Sequence, residues 1–135
     1  MVYSVEGNHK WFLQLQENAK QMDGKCDPME CFISSVEDLN NIFKIVGPCD
    51  ILHSDIEGAE KLFFELDDDF WNSFPIWNLE VHYDYELLKN FVERFLKLNY
   101  EVKVFTLDPL HKAWILYAEK MSGEGQCTFE KGYRI

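Results

Sequence analysis

The stretch Asp50-Ile51-Leu52-His53-Ser54-Asp55-Ile56-Glu57-Gly58-Ala59-Glu60 decides how this chain is read. Gly47-Pro48 breaks the pattern ahead of it. Residues 49–54 form an apolar run that ends on Asp55, and Glu57 and Gly58 follow. A helix is expected from Gly58 to about Leu66. Strand, turn and helix in that order place two carboxylates at the carboxyl end of a strand, where open α/β sheets bind ligands and do chemistry.

The same alternation continues on both sides. Val2 to Glu6 reads as a short buried strand ending in an acid, and Asn8 is placed to cap a helix whose apolar face is Trp11, Phe12, Leu15 and Ala19. Asp23-Gly24 and Asp27-Pro28 predict a loop, and residues 29–33 a second strand. Ser35 and Asp38 have capping-box spacing before a short helix with Val36, Leu39, Ile42 and Phe43 on one face. Beyond the opening stretch, residues 67–75 are acidic and aromatic. Residues 76–82 read as a strand. Asp84 caps the clearest helix, with Leu87, Leu88, Phe91, Val92, Phe95 and Leu96 on its apolar face, and Asn99 closes it in a left-handed turn. Residues 100–106 alternate as a strand, Asp108-Pro109 marks a turn, and residues 113–119 give an antiparallel partner strand. Ser122 to Gly125 reads as a loop, and 127–135 as a tail or small edge strand.

Strands alternating with helices predict an α/β fold: a mostly parallel sheet with helices on both faces and a C-terminal antiparallel strand pair. The 135 residues are expected to form one domain, 1–135, since neither a repeat nor a linker interrupts them. Right-handed crossovers would bring Glu6, Asp55, Glu57, Glu80 and His82 toward one sheet edge.

Composition narrows the function. Hydrophobic residues at 47% and aromatics at 16% supply a packed core. Neither an apolar run of bilayer length nor a signal peptide is present, so a soluble cytoplasmic protein with no membrane partner is expected. Thirteen basic against 24 acidic residues give a net charge of -11, which disfavours a nucleic-acid partner. Cys26, Cys31, Cys49 and Cys127 contain no C-x-x-C pair and read as reduced thiols, mostly in the core. Asp67-Asp68-Asp69 reads as a solvated loop or helix start.

The opening stretch resembles the D-x-E-G-A-E segment of the FkbM-type methyltransferases, which use S-adenosylmethionine. Val2 to Asn8, with Leu15-Gln16-Glu17-Asn18, is similar to that family's V-x-A-F-E-P-N segment and L-x-x-N helix. Leu79-Glu80-Val81-His82 resembles its E-x-H strand, and Leu98 to Val102 its G-Y-x-V segment. Gly7 stands where the family has proline, Asn99 where it has glycine, and His53 and Ser54 where it has a lysine and an apolar residue. The resemblance implies a Rossmann-like class I fold from its second strand onward, without the first strand and its glycine-rich loop. Gly123-x-Gly125 lies at the wrong end to replace that loop and reads as a turn.

The same resemblance implies the roles. S-adenosylmethionine is the expected cofactor, with Glu6 on its ribose, Ser34 and Ser35 near its adenine, and Asp55 contributing. Asp55, Glu57 and His82 are the expected catalytic residues, and Glu80 with His82 would bind the substrate. The implied reaction is O-methylation of a small or sugar-like acceptor. Without the resemblance, Asp55 and Glu57 read as carboxylates favoured at a helix N-terminus, or as groups orienting an amine, a hydroxyl or a metal ion. Glu60 reads as a helix-surface or supporting residue. Trp71, Phe74 and Trp77 read as core or as the lining of an acceptor pocket. A His53/Asp55/Glu57 metal site is a lesser alternative; no metal is assigned, and His9 and His111 carry no spacing argument. The competing reading is a non-catalytic remnant or interaction module, forming a homodimer or taking a partner strand at an open sheet edge, or a truncated piece of a longer methyltransferase.

Overall fold

The computed structural model describes residues 1–82, 84–108 and 113–130. The chain divides into two compact units, Met1–Gly47 and Pro48–Ile135.

The first unit runs β1 (Val2–Glu6), α1 (His9–Lys20), β2 (Cys26–Glu30) and α2 (Val36–Val46). β1 and β2 pair in parallel from Val2↔Cys26 to Glu6↔Glu30. Asn8 caps α1 as expected, its side chain accepting from the backbone N–H of Lys10 and Trp11. Ser35 and Asp38 form a complete capping box on α2, and Gly47 at φ 68° ends that helix. β2 starts before the expected 29–33 and takes in Asp27-Pro28, which the sequence placed in a loop. Proline is tolerated there because β2 is an edge strand, with one side of its backbone lacking a ladder partner among the described residues.

The second unit runs β3 (Ile51–Ser54), a 3-10 helix (Glu60–Glu65), α3 (Asp68–Asn72), β4 (Ile76–His82), α4 (Tyr85–Lys97), β5 (Tyr100–Asp108), β6 (Ala113–Lys120) and β7 (Gln126–Glu130). Its five strands lie in the order β3-β4-β6-β5-β7. β3–β4 and β5–β7 are parallel, whereas β6 inserts antiparallel between β4 and β5. The fold is therefore mixed α/β, rich in parallel pairs, with the expected antiparallel pair near the C-terminus. β7 makes the expected edge strand out of the tail. Pro109 of the expected Asp108-Pro109 turn, His111 and the rest of 109–112, and residues 131–135 lie outside the described residues.

The segment after Asp55 is not the α-helix the sequence predicts. Glu57 (φ 45°) and Gly58 (φ 91°) are both left-handed, and the Ala59 N–H donates to the Ile56 carbonyl at 3.1 Å. Two central residues at positive φ make a tight turn that cannot lead straight into α-helix. A 3-10 helix starts instead at Glu60, with no side-chain cap. Asp67 caps α3 by accepting from the Phe70 N–H, so the aspartate run is a helix start.

The core of this unit is aromatic. Trp71 and Trp77 are fully buried and stack with centroids 5.0 Å apart, and Phe95 meets both edge-on. The Tyr100 hydroxyl donates to the Trp71 and Phe74 carbonyls at 2.8 Å. Trp71, Phe74 and Trp77 are thus core residues. The four cysteines are half-buried, so they do not fill the core as the sequence led one to expect. Gly125 lies so close to the end of α4 that a Cβ there would come within 2.6 Å of the Tyr100 carbonyl oxygen and 3.0 Å of that of Leu96. Among the described residues no helix is long and apolar enough to cross a membrane.

Candidate functional site

β4 alternates strictly. Trp77, Leu79 and Val81 are buried on one face, which leaves Glu80 and His82 together on the other. Parallel pairing with β3 brings Ser54 opposite Leu79. Asp55, one residue on, therefore emerges beside the face that carries Glu80 and His82. The left-handed turn at Glu57-Gly58 then folds the chain back, so that ligand-type atoms of Asp55, Glu57 and His82 all lie within 4.8 Å of one another. A non-glycine residue at positive φ costs on the order of 1 kcal/mol, and such strain concentrates at functional sites.

His82 organises the cluster. Its side chain is 6% exposed, and Nδ1–H donates to Glu60 Oε1 at 2.6 Å. On the opposite edge of the ring, Nε2 lies 3.3 Å from Glu80 Oε1 and 3.6 Å from Asp55 Oδ1. Burial by itself would lower the imidazole's pKa. The hydrogen bond to Glu60 and the charges of Glu60, Glu57 and Glu80 outweigh that effect, so the ring holds its proton more tightly than an ordinary histidine. Asp55 is half-exposed, Glu80 less so, and Glu60 is completely buried.

Of the residues singled out from sequence, Asp55, Glu57, Glu80 and His82 thus converge. Of the two sequence readings of Glu60, helix surface or support, its position matches the second: it is wholly enclosed, holding the back of His82. Its place as the last acid of the D-x-E-G-A-E segment was the only signal available. His53 is exposed and outside this cluster, so the metal set suggested through it is replaced by one through His82.

Three sequence candidates fall in the other unit. Glu6 ends β1, and its Oε1 accepts from the Asn8 N–H at 2.7 Å. Ser34 and Ser35 are tied to Asp38: both hydroxyls and both backbone N–H groups donate to Asp38 Oδ2 at 2.9–3.1 Å. These bonds hold the Asp38 carboxyl below the usual carboxylate range, led by the Ser34 N–H and then the Ser35 hydroxyl. Both serines are therefore committed to the cap of α2.

No protein-family model matches the sequence, and no curated protein matches it. Among solved structures, the chain is similar to TrmK of M. capricolum in complex with its natural cofactor product, S-adenosyl-homocysteine. The TM-score is 0.55 at 14% identity, over 92% of this chain and 53% of that one. At this identity the likeness is one of fold. The chain spans about half the length of the structure it matches.

Proposed function

We propose that this chain is an S-adenosylmethionine-dependent methyltransferase acting on a hydroxyl of a small or sugar-like acceptor, as its FkbM-like segment 50–60 suggests. In this reading residues 1–135 form one methyltransferase-like domain. The observation that carries the proposal is the meeting of Asp55, Glu57, Glu80 and His82 where the adjacent parallel strands β3 and β4 end. That location suits ligand chemistry in an α/β sheet. The methyltransferase fold supports the cofactor class.

Glu6 fits a cofactor role best. It is half-buried at a strand end, and one oxygen is fixed by the Asn8 N–H, so the carboxylate is oriented to accept ribose hydroxyls. The serine hydroxyl protons already go to Asp38, so Ser34 and Ser35 offer the cofactor only their oxygens as acceptors. Bound S-adenosylmethionine would supply an electrophilic methyl group. Taken by itself, the cluster of the second unit suits an acceptor hydroxyl: a carboxylate such as Asp55 or Glu57 can accept its hydrogen bond and take up its proton.

Calorimetric titration of the purified chain with S-adenosylmethionine tests the reading, and Glu6→Gln should weaken binding several-fold. No heat at millimolar cofactor would end it. A second reading, an interaction module, is favoured by β1 and β3. Within its own unit each has a strand on one side only among the described residues, and such edges accept further strands. Its expected sign is a homodimer or a strand-donating partner in sedimentation, with no cofactor binding.

A further inference from the structure

We infer that Asp55, Glu57 and His82 form a binding site for one divalent cation of the Mn2+ type, with Glu80 at its rim and Glu60 fixing the histidine from behind. Three observations lead there. The first is spacing. Metal–ligand bonds of about 2.1 Å set neighbouring donors roughly 3.0–3.4 Å apart around one ion. His82 Nε2 stands 3.3 Å from Glu80 Oε1 and 3.6 Å from Asp55 Oδ1, and donor atoms of Asp55, Glu57 and His82 share a sphere of 4.8 Å. Small side-chain rotations close that set onto an ion.

The second is the buried pair behind the cluster. Glu60 is completely enclosed, its Oε1 takes the Nδ1–H of His82, and its Oε2 has no hydrogen-bond partner among the described residues. An enclosed carboxylate with an orphaned oxygen is costly. Here it locks the tautomer and the ring plane, so that Nε2 is presented toward Asp55 and Glu80. A carboxylate on the far nitrogen is the usual support of a metal-binding histidine.

The third is charge. The ion pairs of Asp55, Glu60 and Glu80 all run to the same imidazole, so among the described ion pairs several carboxylates share one positive charge at most. A cation placed among them relieves their mutual repulsion. One imidazole nitrogen with two or three carboxylate oxygens suits Mn2+ better than Ca2+ or Mg2+, which prefer oxygen alone.

This inference stands on ligand geometry and does not require methyl transfer. If both hold, the cation lowers the pKa of the acceptor hydroxyl, His82 serves as a ligand, and Glu80 is the nearest carboxylate to receive the proton.

The test is titration of MnCl2 into the full chain with neither cofactor nor acceptor present, read by calorimetry and by loss of the free-ion electron paramagnetic resonance signal. We expect one equivalent bound with a dissociation constant below about 1 mM. Asp55→Asn and Glu57→Gln should each weaken it by about tenfold or more. Glu60→Gln, which touches no ion, should weaken it by about 10–100-fold with circular dichroism unchanged. Asp69→Asn, at an exposed acid elsewhere, should leave it unchanged. No binding at 1 mM overturns the inference. So does uptake of several weak equivalents that Asp55→Asn and Glu57→Gln do not alter, which is what a diffuse acidic surface would give. A failed cofactor titration leaves the manganese result untouched, so the two claims fall separately.

Discussion

The two units are held by different means. In Pro48–Ile135 a stacked tryptophan pair, five buried phenylalanines and Tyr100 enclose one another under a five-stranded sheet. In Met1–Gly47 only Ala19 and Leu39 are buried among apolar residues, while Trp11, Leu13, Met22, Phe32 and Ile45 are exposed. What defines the first unit is local: the Asn8 cap, the Ser35–Asp38 box, the left-handed stop at Gly47 and a two-stranded parallel ladder. Burial scales with apolar area removed from water, whereas each cap adds only about 1 kcal/mol. The second unit should therefore dominate the stability of the chain, and the first should respond mainly to changes at its helix ends.

Replacing a core tryptophan breaks the comparison most severely. Trp77→Ala removes a fully buried ring that also donates to the Trp71 carbonyl at 3.2 Å. A loss of roughly 3–5 kcal/mol in urea unfolding is expected. A loss under 1 kcal/mol would mean that the aromatic cluster is not the main support. Ser35→Ala probes the other unit. It should cost about 1 kcal/mol and show as faster amide exchange confined to α2. The same cap carries a pH signature. The Asp38 carboxyl titrates below its ordinary value when folded. Its stabilisation is therefore present above the unfolded carboxylate pKa and fades as pH falls through the lower folded one. Exchange in α2 should rise in strong acid, and Asp38→Asn should remove that dependence.

The smallest effect is the most informative about the site. Glu57→Gly relieves a left-handed side-chain residue and should raise stability, by up to about 1 kcal/mol, while weakening manganese binding. Equal or lower stability would mean that the turn is not strained. A gain in stability with a loss of binding would mark Glu57 as a residue kept for chemistry at the expense of the fold.

Much of this was legible in the sequence because it is local. Helix α4 follows from its apolar period, its Asp84 cap and the left-handed Asn99 at φ 63°. The capping box of α2 and the shared face of Glu80 and His82 follow from spacing alone. What was hidden depends on distance along the chain. Glu60 and His82 are 22 residues apart, and only the packed fold brings an apparent surface glutamate against an imidazole. The insertion of β6 between β4 and β5 is likewise a pairing choice that alternation cannot encode. The segment after Gly58 misled for a local reason. Its residues favour a helix, but two left-handed residues in succession start it in the tighter 3-10 form.

Gly125 has a consequence for solubility. The loop backbone that launches β7 fits against α4 only because no methyl group is present at that position. Any larger residue there would lift β7 off and leave the N–H and C=O groups of β5 exposed along one flank. A bare strand of that kind invites pairing with its own copies, so a change at one glycine far from the acids would be felt first as clumping.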